Sequence, residues 1–166
     1  MKTKNTKMSP STQHLVISKV PLVYKIWFLY FEPFAALNGA YLLHFQPQTY
    51  LRMTHCPTAD IFPIPSSTLF IMDQLAAQFL CFALIEAFVM RTTSDVKVWK
   101  AIFCCMLVCD AMCLSALRGL GGSEAYWVSL WLWDAAGWGN FGSSWAALIL
   151  RILFVLGVGV PLEGRR

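Results

Sequence analysis

Four long apolar stretches constrain this chain more than any other feature of its sequence. They cover about 22–45, 67–90, 98–117 and 143–160, and each is close to the roughly twenty residues that an α-helix needs to cross a bilayer. Only 13% of the 166 residues are charged, against about 25% in soluble domains. A soluble domain of this size could not bury so much apolar surface. The sequence therefore predicts an all-α integral membrane protein, a four-helix bundle.

The cations flank these stretches and predict how the chain is oriented. We expect a cytoplasmic polar leader at 1–21, one four-span transmembrane domain at 22–160 and a cytoplasmic tail at 161–166. Lysine and arginine concentrate in the leader, in the turn at 91–100 and in the tail. Because cytoplasmic loops carry the excess of these residues, both termini should be cytoplasmic. The net charge of +4 is explained by this topology, so no nucleic-acid partner is expected.

A tryptophan-rich segment at 123–142 precedes the last apolar stretch. It contains Trp127, Trp131, Trp133 and Trp138 together with several glycines. Tryptophan favours the headgroup layer of a bilayer. The pattern predicts an interfacial or re-entrant segment that caps the bundle, and the alternative is that it begins a tilted fourth span.

An acidic residue stands in the middle of the first apolar stretch. Placing an ionisable group such as Glu32 at that depth costs about 3 kcal/mol on insertion scales. Pro33 follows directly, and its ring removes a backbone donor and frees a carbonyl group near the carboxylate. The pair predicts a polar site that faces the protein interior. The alternative is a buried acid paired with one cation for assembly alone.

The other three stretches carry polar groups at a similar depth. With a helical rise of 1.5 Å per residue, Glu32, Gln78, Asp110 and Arg151 lie about 14–18 Å from the cytoplasmic ends, and Asp73 lies about 26 Å deep. Arg151 can neutralise one carboxylate, which leaves an excess of acids in a dry cavity. Two acids in different environments are what acid–base catalysis requires. A structural network that fixes helix register remains the alternative.

One further acid receives a different interpretation. Glu86 lies only a turn from the end of its span, so pairing with Arg91 or solvation at the interface is expected.

No cofactor or metal site is predicted. Cys105, Cys109 and Cys113 share a helix face, but without a nearby histidine or a CxxC motif they do not resemble a zinc site. Small residues that let helices approach are the better interpretation of these cysteines. Aspartate-rich motifs that hold magnesium on a diphosphate are absent from the sequence.

The chemistry that remains is protonation of an uncharged lipophilic substrate such as an epoxide. An acid would donate to the epoxide oxygen, and a carboxylate would activate water or an internal hydroxyl group. Glu32 and Asp110 are the candidate acid–base pair, with Asp73 in reserve. The candidate substrate-binding residues are Gln78, Arg151, Asp134 and Trp133.

Several short motifs carry a resemblance to a known group of proteins. They are Tyr30-Phe31-Glu32-Pro33 with Gly39-Ala40, the basic turn before Trp99, Asp110, and Arg151 followed by Gly157-Val158-Gly159. The chain resembles a fungal family of small four-span membrane proteins. It is similar to the small integral-membrane epoxide hydrolases and cyclases of fungal polyketide and meroterpenoid gene clusters.

The resemblance implies an enzyme of specialised metabolism in the endoplasmic reticulum membrane. Its partners would be a lipophilic small-molecule substrate, the lipid bilayer and other enzymes of the pathway. Two further hypotheses stay open. One is a non-catalytic lipid-binding or assembly protein that uses the same cavity, and the other is a small transporter, which the lack of inverted repeats disfavours.

Overall fold

A computed structural model describes residues 20–119 and 126–160, and these ranges form five helices and no strand. The predictions for the leader up to residue 19 and for the tail at 161–166 lie outside the described residues. The five helices are α1 (22–45), α2 (Pro47–Met53), α3 (Ser66–Val89), α4 (Val96–Ala116) and α5 (Ala135–Leu156).

Three of the helices are long and apolar enough to cross a membrane. They are α3, α4 and α5. Helix α1 is of similar length but is not in this group, because Lys25, Glu32 and Asn38 lower its mean hydropathy. The described part of the chain is therefore all-helical, with three helices suited to membrane insertion.

Helix α1 is distorted where Pro33 interrupts its hydrogen bonding. A π-helical turn occupies Trp27–Phe31, and the proline leaves the carbonyl oxygen of Leu29 without its usual donor four residues later. The Nη2 group of Arg91, at the end of α3, donates to this oxygen. The guanidinium carbon of Arg91 also lies 4.6 Å from the centre of the Tyr30 ring. The distortion in α1 is thus tied to the end of α3.

The long helices pack in two pairs, α1 with α3 and α4 with α5. Gly39 permits the close approach in the first pair, because a Cβ atom there would lie 2.7 Å from Cδ2 of Phe79. Small residues serve this purpose in membrane helices, where backbone proximity replaces much of the hydrophobic driving force.

Helix α5 begins earlier than the sequence predicted. The side chain of Asp134 caps its first turn by accepting from the Gly137 amide at 2.7 Å. Gly157, with a φ of 85°, ends it, as glycine commonly does after a helix. Tyr126–Val128 and Leu130–Leu132 form short 3₁₀ turns ahead of the helix. The described part of the tryptophan-rich segment, residues 126–142, is therefore divided between these turns and the start of α5, and residues 123–125 lie outside the described ranges.

Two apolar clusters occupy opposite ends of the helices. The first holds buried aromatic and other large side chains, namely Tyr24, Phe28, Met90, Trp99, Phe103, Met106 and Phe154. The second holds smaller aliphatic groups, including Leu43, Leu51, Met72 and Ala76. Glu32 of α1 and Glu86 of α3 lie between the two clusters along each helix.

Candidate functional site

Arg151 is the centre of the polar cluster and is fully buried. Its Nη1 group donates to Oδ2 of Asp110 at 2.5 Å. Its Nη2 group donates to Oε1 of Glu32 and, at 3.0 Å, to Oε1 of Glu86. One guanidinium group on α5 therefore binds a carboxyl group from each of α1, α3 and α4. We call these four residues the acid cluster.

Three aromatic rings surround the guanidinium group. Its central carbon lies 5.5 Å from the ring centre of Phe28, 5.9 Å from that of Phe103 and 6.0 Å from that of Phe82. Rings at this distance attract a cation through their negative faces. The guanidinium group itself is fully buried, and burial strengthens its interactions with the carboxyl groups.

The acid cluster has more carboxyl oxygens than donors. Oε2 of Glu32 and Oε2 of Glu86 are both buried and without a hydrogen-bond partner, as is Nε of Arg151. The side chains of Glu32 and Asp110 each keep 14% of their surface exposed, whereas Glu86 has none. We call Glu32 and Asp110 the two open acids, because part of each side chain reaches the surface, although Oε2 of Glu32 is itself buried.

The structure brings together three residues that the sequence analysis placed at one depth: Glu32, Asp110 and Arg151. Both expectations for Glu86, pairing with Arg91 and solvation at the interface, were wrong, because its side chain is completely buried. Glu86 binds Arg151, and Arg91 donates to a backbone carbonyl group instead. One feature of the sequence indicated that Glu86 faces the interior: Gln78, Phe82 and Glu86 recur every four residues and so share one face of α3.

Asp73 and Gln78 lie outside the acid cluster. Asp73 pairs with Nδ1 of His44 at 2.8 Å, and both side chains are about half exposed. Gln78 is half-buried and donates from Nε2 to the sulfur atom of Cys113 at 3.6 Å. Cys113 follows Asp110 by three residues on α4, so Gln78 lies one helical turn away from the cluster.

Trp133 and Asp134 belong to a second region, where the 3₁₀ turns meet the loop after α2. The buried indole of Trp133 donates to the carbonyl oxygen of Tyr126 at 2.9 Å. Asp134 pairs with Nε2 of His55 at 3.3 Å. The hydrogen bond from the Gly137 amide and, to a smaller extent, the contact with His55 hold the pKa of Asp134 below its usual value. These contacts, with Tyr126 and His55, place Trp133 and Asp134 away from the acid cluster.

Two cavities lie near these helices. One of about 510 Å³ is bordered by Arg52, His55, Asp60 and Asp134. The other, of about 550 Å³, is an apolar groove on α3 around Cys81. Neither cavity is lined by a member of the acid cluster. Among residues 20–119 and 126–160, no group of three or more histidine, cysteine, aspartate or glutamate residues is arranged to hold a metal ion.

Comparison with known proteins gives one family assignment. A family model described as a domain of unknown function, DUF7704, matches residues 17–161. The chain belongs to the DUF7704 family. The match contains every helix described above, so the acid cluster lies wholly within the DUF7704 domain. No curated protein and no solved structure matches this DUF7704 chain.

Proposed function

We propose that this protein is an integral membrane enzyme that opens a lipophilic epoxide by acid–base catalysis. The observation that carries the proposal is the convergence of three carboxyl groups, from three helices, on the buried guanidinium group of Arg151. Ionisable groups at such depth are costly and are retained mainly for function. The resemblance to fungal membrane epoxide hydrolases and cyclases supplies the substrate class, a polyketide or terpenoid intermediate.

Each open acid has a distinct role in the proposed reaction. Glu32 gives its proton to the epoxide oxygen while the carbon–oxygen bond breaks. Asp110 accepts a proton from the attacking oxygen nucleophile as that oxygen bonds to carbon. With water as nucleophile the product is a diol, and with an internal hydroxyl group it is a cyclic ether. Arg151 holds both acids in place.

The proposed enzyme crosses the endoplasmic reticulum membrane four times, with both termini in the cytoplasm. Helices α3, α4 and α5 supply three spans, and α1 is the fourth. Two features support a spanning α1. Glu32, near its middle, binds Arg151 of α5, and Arg151 also binds carboxyl groups from α3 and α4. A basic leader also precedes it, as the positive-inside rule requires of a cytoplasmic segment.

A non-catalytic membrane protein is the second candidate, and a specific observation favours it. All three carboxyl groups are bound to Arg151, and the two cavities described above lie elsewhere. Such a network could serve only to fix how the helices pack. The protein would then bind lipids or assemble with other membrane proteins.

Substitution of the two open acids separates the candidates. We expect Glu32→Gln and Asp110→Asn, made singly in a strain that forms the product, to lower product at least about 100-fold, because a positioned acid or base contributes that much or more. Metabolite profiling measures the product, and immunoblotting measures the protein in the membrane.

The matched control is Asp95→Asn. Asp95 is an exposed helix cap outside the acid cluster, and asparagine caps equally well, so product should be unchanged. Normal product from both acid variants at normal protein levels would overturn the proposed enzyme. Loss of the protein itself in both variants would favour the non-catalytic candidate.

A further inference from the structure

Glu86 is the acid that the proposed reaction leaves without a role. Its side chain is completely buried, so neither water nor a substrate reaches it directly. Its Oε1 atom and Oε1 of Glu32 bind the same nitrogen atom, Nη2 of Arg151. Because they share a donor, the two carboxyl groups lie next to each other, with Glu86 completely buried and Glu32 partly exposed.

The charges around this pair do not balance if every acid is ionised. Glu86 faces Glu32 from α1, Arg151 from α5 and, across the guanidinium group, Asp110 from α4. Three carboxylates against one guanidinium would leave two negative charges in an apolar surrounding. Arg91, two residues after the end of α3, donates to the Leu29 carbonyl oxygen instead. A buried charge without a partner is strongly unfavourable.

The hydrogen bonding shows the same imbalance at the level of single atoms. Oε2 of Glu86 and Oε2 of Glu32 are buried and receive no donor. Buried polar atoms in native proteins almost always have a partner. A proton on one carboxyl group supplies the missing donor for the other and removes one negative charge. Adjoining carboxyl groups elsewhere share a proton for the same reason.

We propose that Glu86 and Glu32 share one bound proton, with Glu86 as the positioning residue that keeps it available to Glu32. Asp110, bound separately through Nη1, is the ionised member. The shared proton stands on the geometry of the acid cluster alone. Its use to protonate an epoxide rests on the proposed function and would assign Glu32 as the acid and Asp110 as the base.

Infrared spectroscopy of the purified full-length protein in lipid nanodiscs tests the shared proton without any substrate. At neutral pH the exposed acids are ionised, so a C=O band from a protonated carboxyl group reports a buried one. We expect this band in the wild type, and we expect it to shift when the protein is made with isotope-labelled glutamate. Labelled aspartate should leave the band in place.

Three variants locate the proton. Glu86→Gln and Glu32→Gln should each abolish the band, because the remaining partner ionises against Arg151. Asp110→Asn should retain it. Absence of the band in the wild type, a shift with labelled aspartate only, or its survival in both glutamine variants would each overturn the proposal. The labelling arm uses unmutated protein, so a variant that fails to fold leaves the test intact.

Failure of this proposal is distinguishable from failure of the proposed function. The infrared band is measured in the absence of any reaction, and the metabolite assay is interpreted without the infrared band. A protein with the shared proton and no product defect in the Glu32 and Asp110 variants would be a proton-bearing membrane protein without the proposed activity.

Discussion

Arg151 stabilises the bundle by neutralising three carboxyl groups, and substitution of single side chains tests how far stability depends on this neutralisation. Its guanidinium group is 1% exposed and binds all three carboxyl groups of the acid cluster. Removing one partner of a buried ion pair costs about 3–5 kcal/mol, because the other partner is left charged in an apolar surrounding. Replacing the whole set by neutral groups is often far less costly.

We expect Arg151→Met to lower the free energy of unfolding by about 3–5 kcal/mol. Combining it with Glu32→Gln, Glu86→Gln and Asp110→Asn should restore most of that loss, since no ionisable group then remains. Unfolding by a denaturing detergent in mixed micelles measures both variants.

The control for this comparison is Arg118→Met. Arg118 is exposed, so its removal should change stability by less than about 1 kcal/mol. A combined variant as unstable as Arg151→Met alone would mean that the shape of arginine, and not its charge, supports the packing.

Depth along each helix predicted part of the acid cluster from the sequence. Glu32, Asp110 and Arg151 fell at one level, and the structure brings them together. Rotation about the helix axis was harder to predict, because a helix that is apolar on most sides gives few signs of which face meets its neighbours, and on α3 the spacing of Gln78 and Glu86 was such a sign. Glu86 was therefore assigned to the interface, and Asp73 was kept as a candidate although it pairs with His44.

At the scale of helices, the contact between Arg91 and the Leu29 carbonyl oxygen joins the distorted turn of α1 to the end of α3. The distortion and the contact have one origin, the missing amide hydrogen of Pro33. Restoring that hydrogen should make Arg91 dispensable, so the two positions should be energetically coupled.

A double-mutant cycle measures this coupling. Arg91→Met alone should destabilise the protein by about 1 kcal/mol, because the carbonyl oxygen loses a charged donor at an exposed site. In a Pro33→Ala background the alanine amide can serve Leu29, and the same substitution should cost clearly less. Equal costs in the two backgrounds, measured by detergent unfolding, would show that the contact is independent of the proline.

The start of α5 was the helix boundary that sequence patterns missed. Gly137, Gly139 and Gly142 disfavour a helix by about 1 kcal/mol each relative to alanine, so this stretch resembled a loop. Within a bilayer the backbone must satisfy its own hydrogen bonds, and the helix persists through all three glycines. At Gly142 the small residue is also needed, because a Cβ atom would lie 2.9 Å from the ring of Trp138.

For the whole molecule, the proposed four spans make a definite prediction about topology. The sequence has no N-x-S/T acceptor, so an engineered one reports its own location without background. An acceptor introduced in the loop at 56–61 should be glycosylated, because α1 and α3 would cross the membrane on either side of it. An acceptor introduced in the leader should stay unmodified, because that end remains cytoplasmic.

Gel mobility before and after enzymatic removal of glycans measures the result. An acceptor placed in the turn at 91–95 is the control, and it should stay unmodified like the one in the leader. Modification of both the leader and the loop would mean that α1 lies on the membrane without crossing it, and the four-span proposal would fail.

The order of the acid cluster along the chain, with Arg151 after all three acids, has a consequence for biogenesis. Glu32, Glu86 and Asp110 are synthesised and reach the membrane before the cation that neutralises them exists. Until α5 is synthesised, the nascent protein holds three acids without the arginine that binds them, and a buried charge without a partner is strongly unfavourable. Arg151 therefore completes the acid cluster, and a chain truncated before residue 151 keeps three acids in its apolar helices without the cation that binds them.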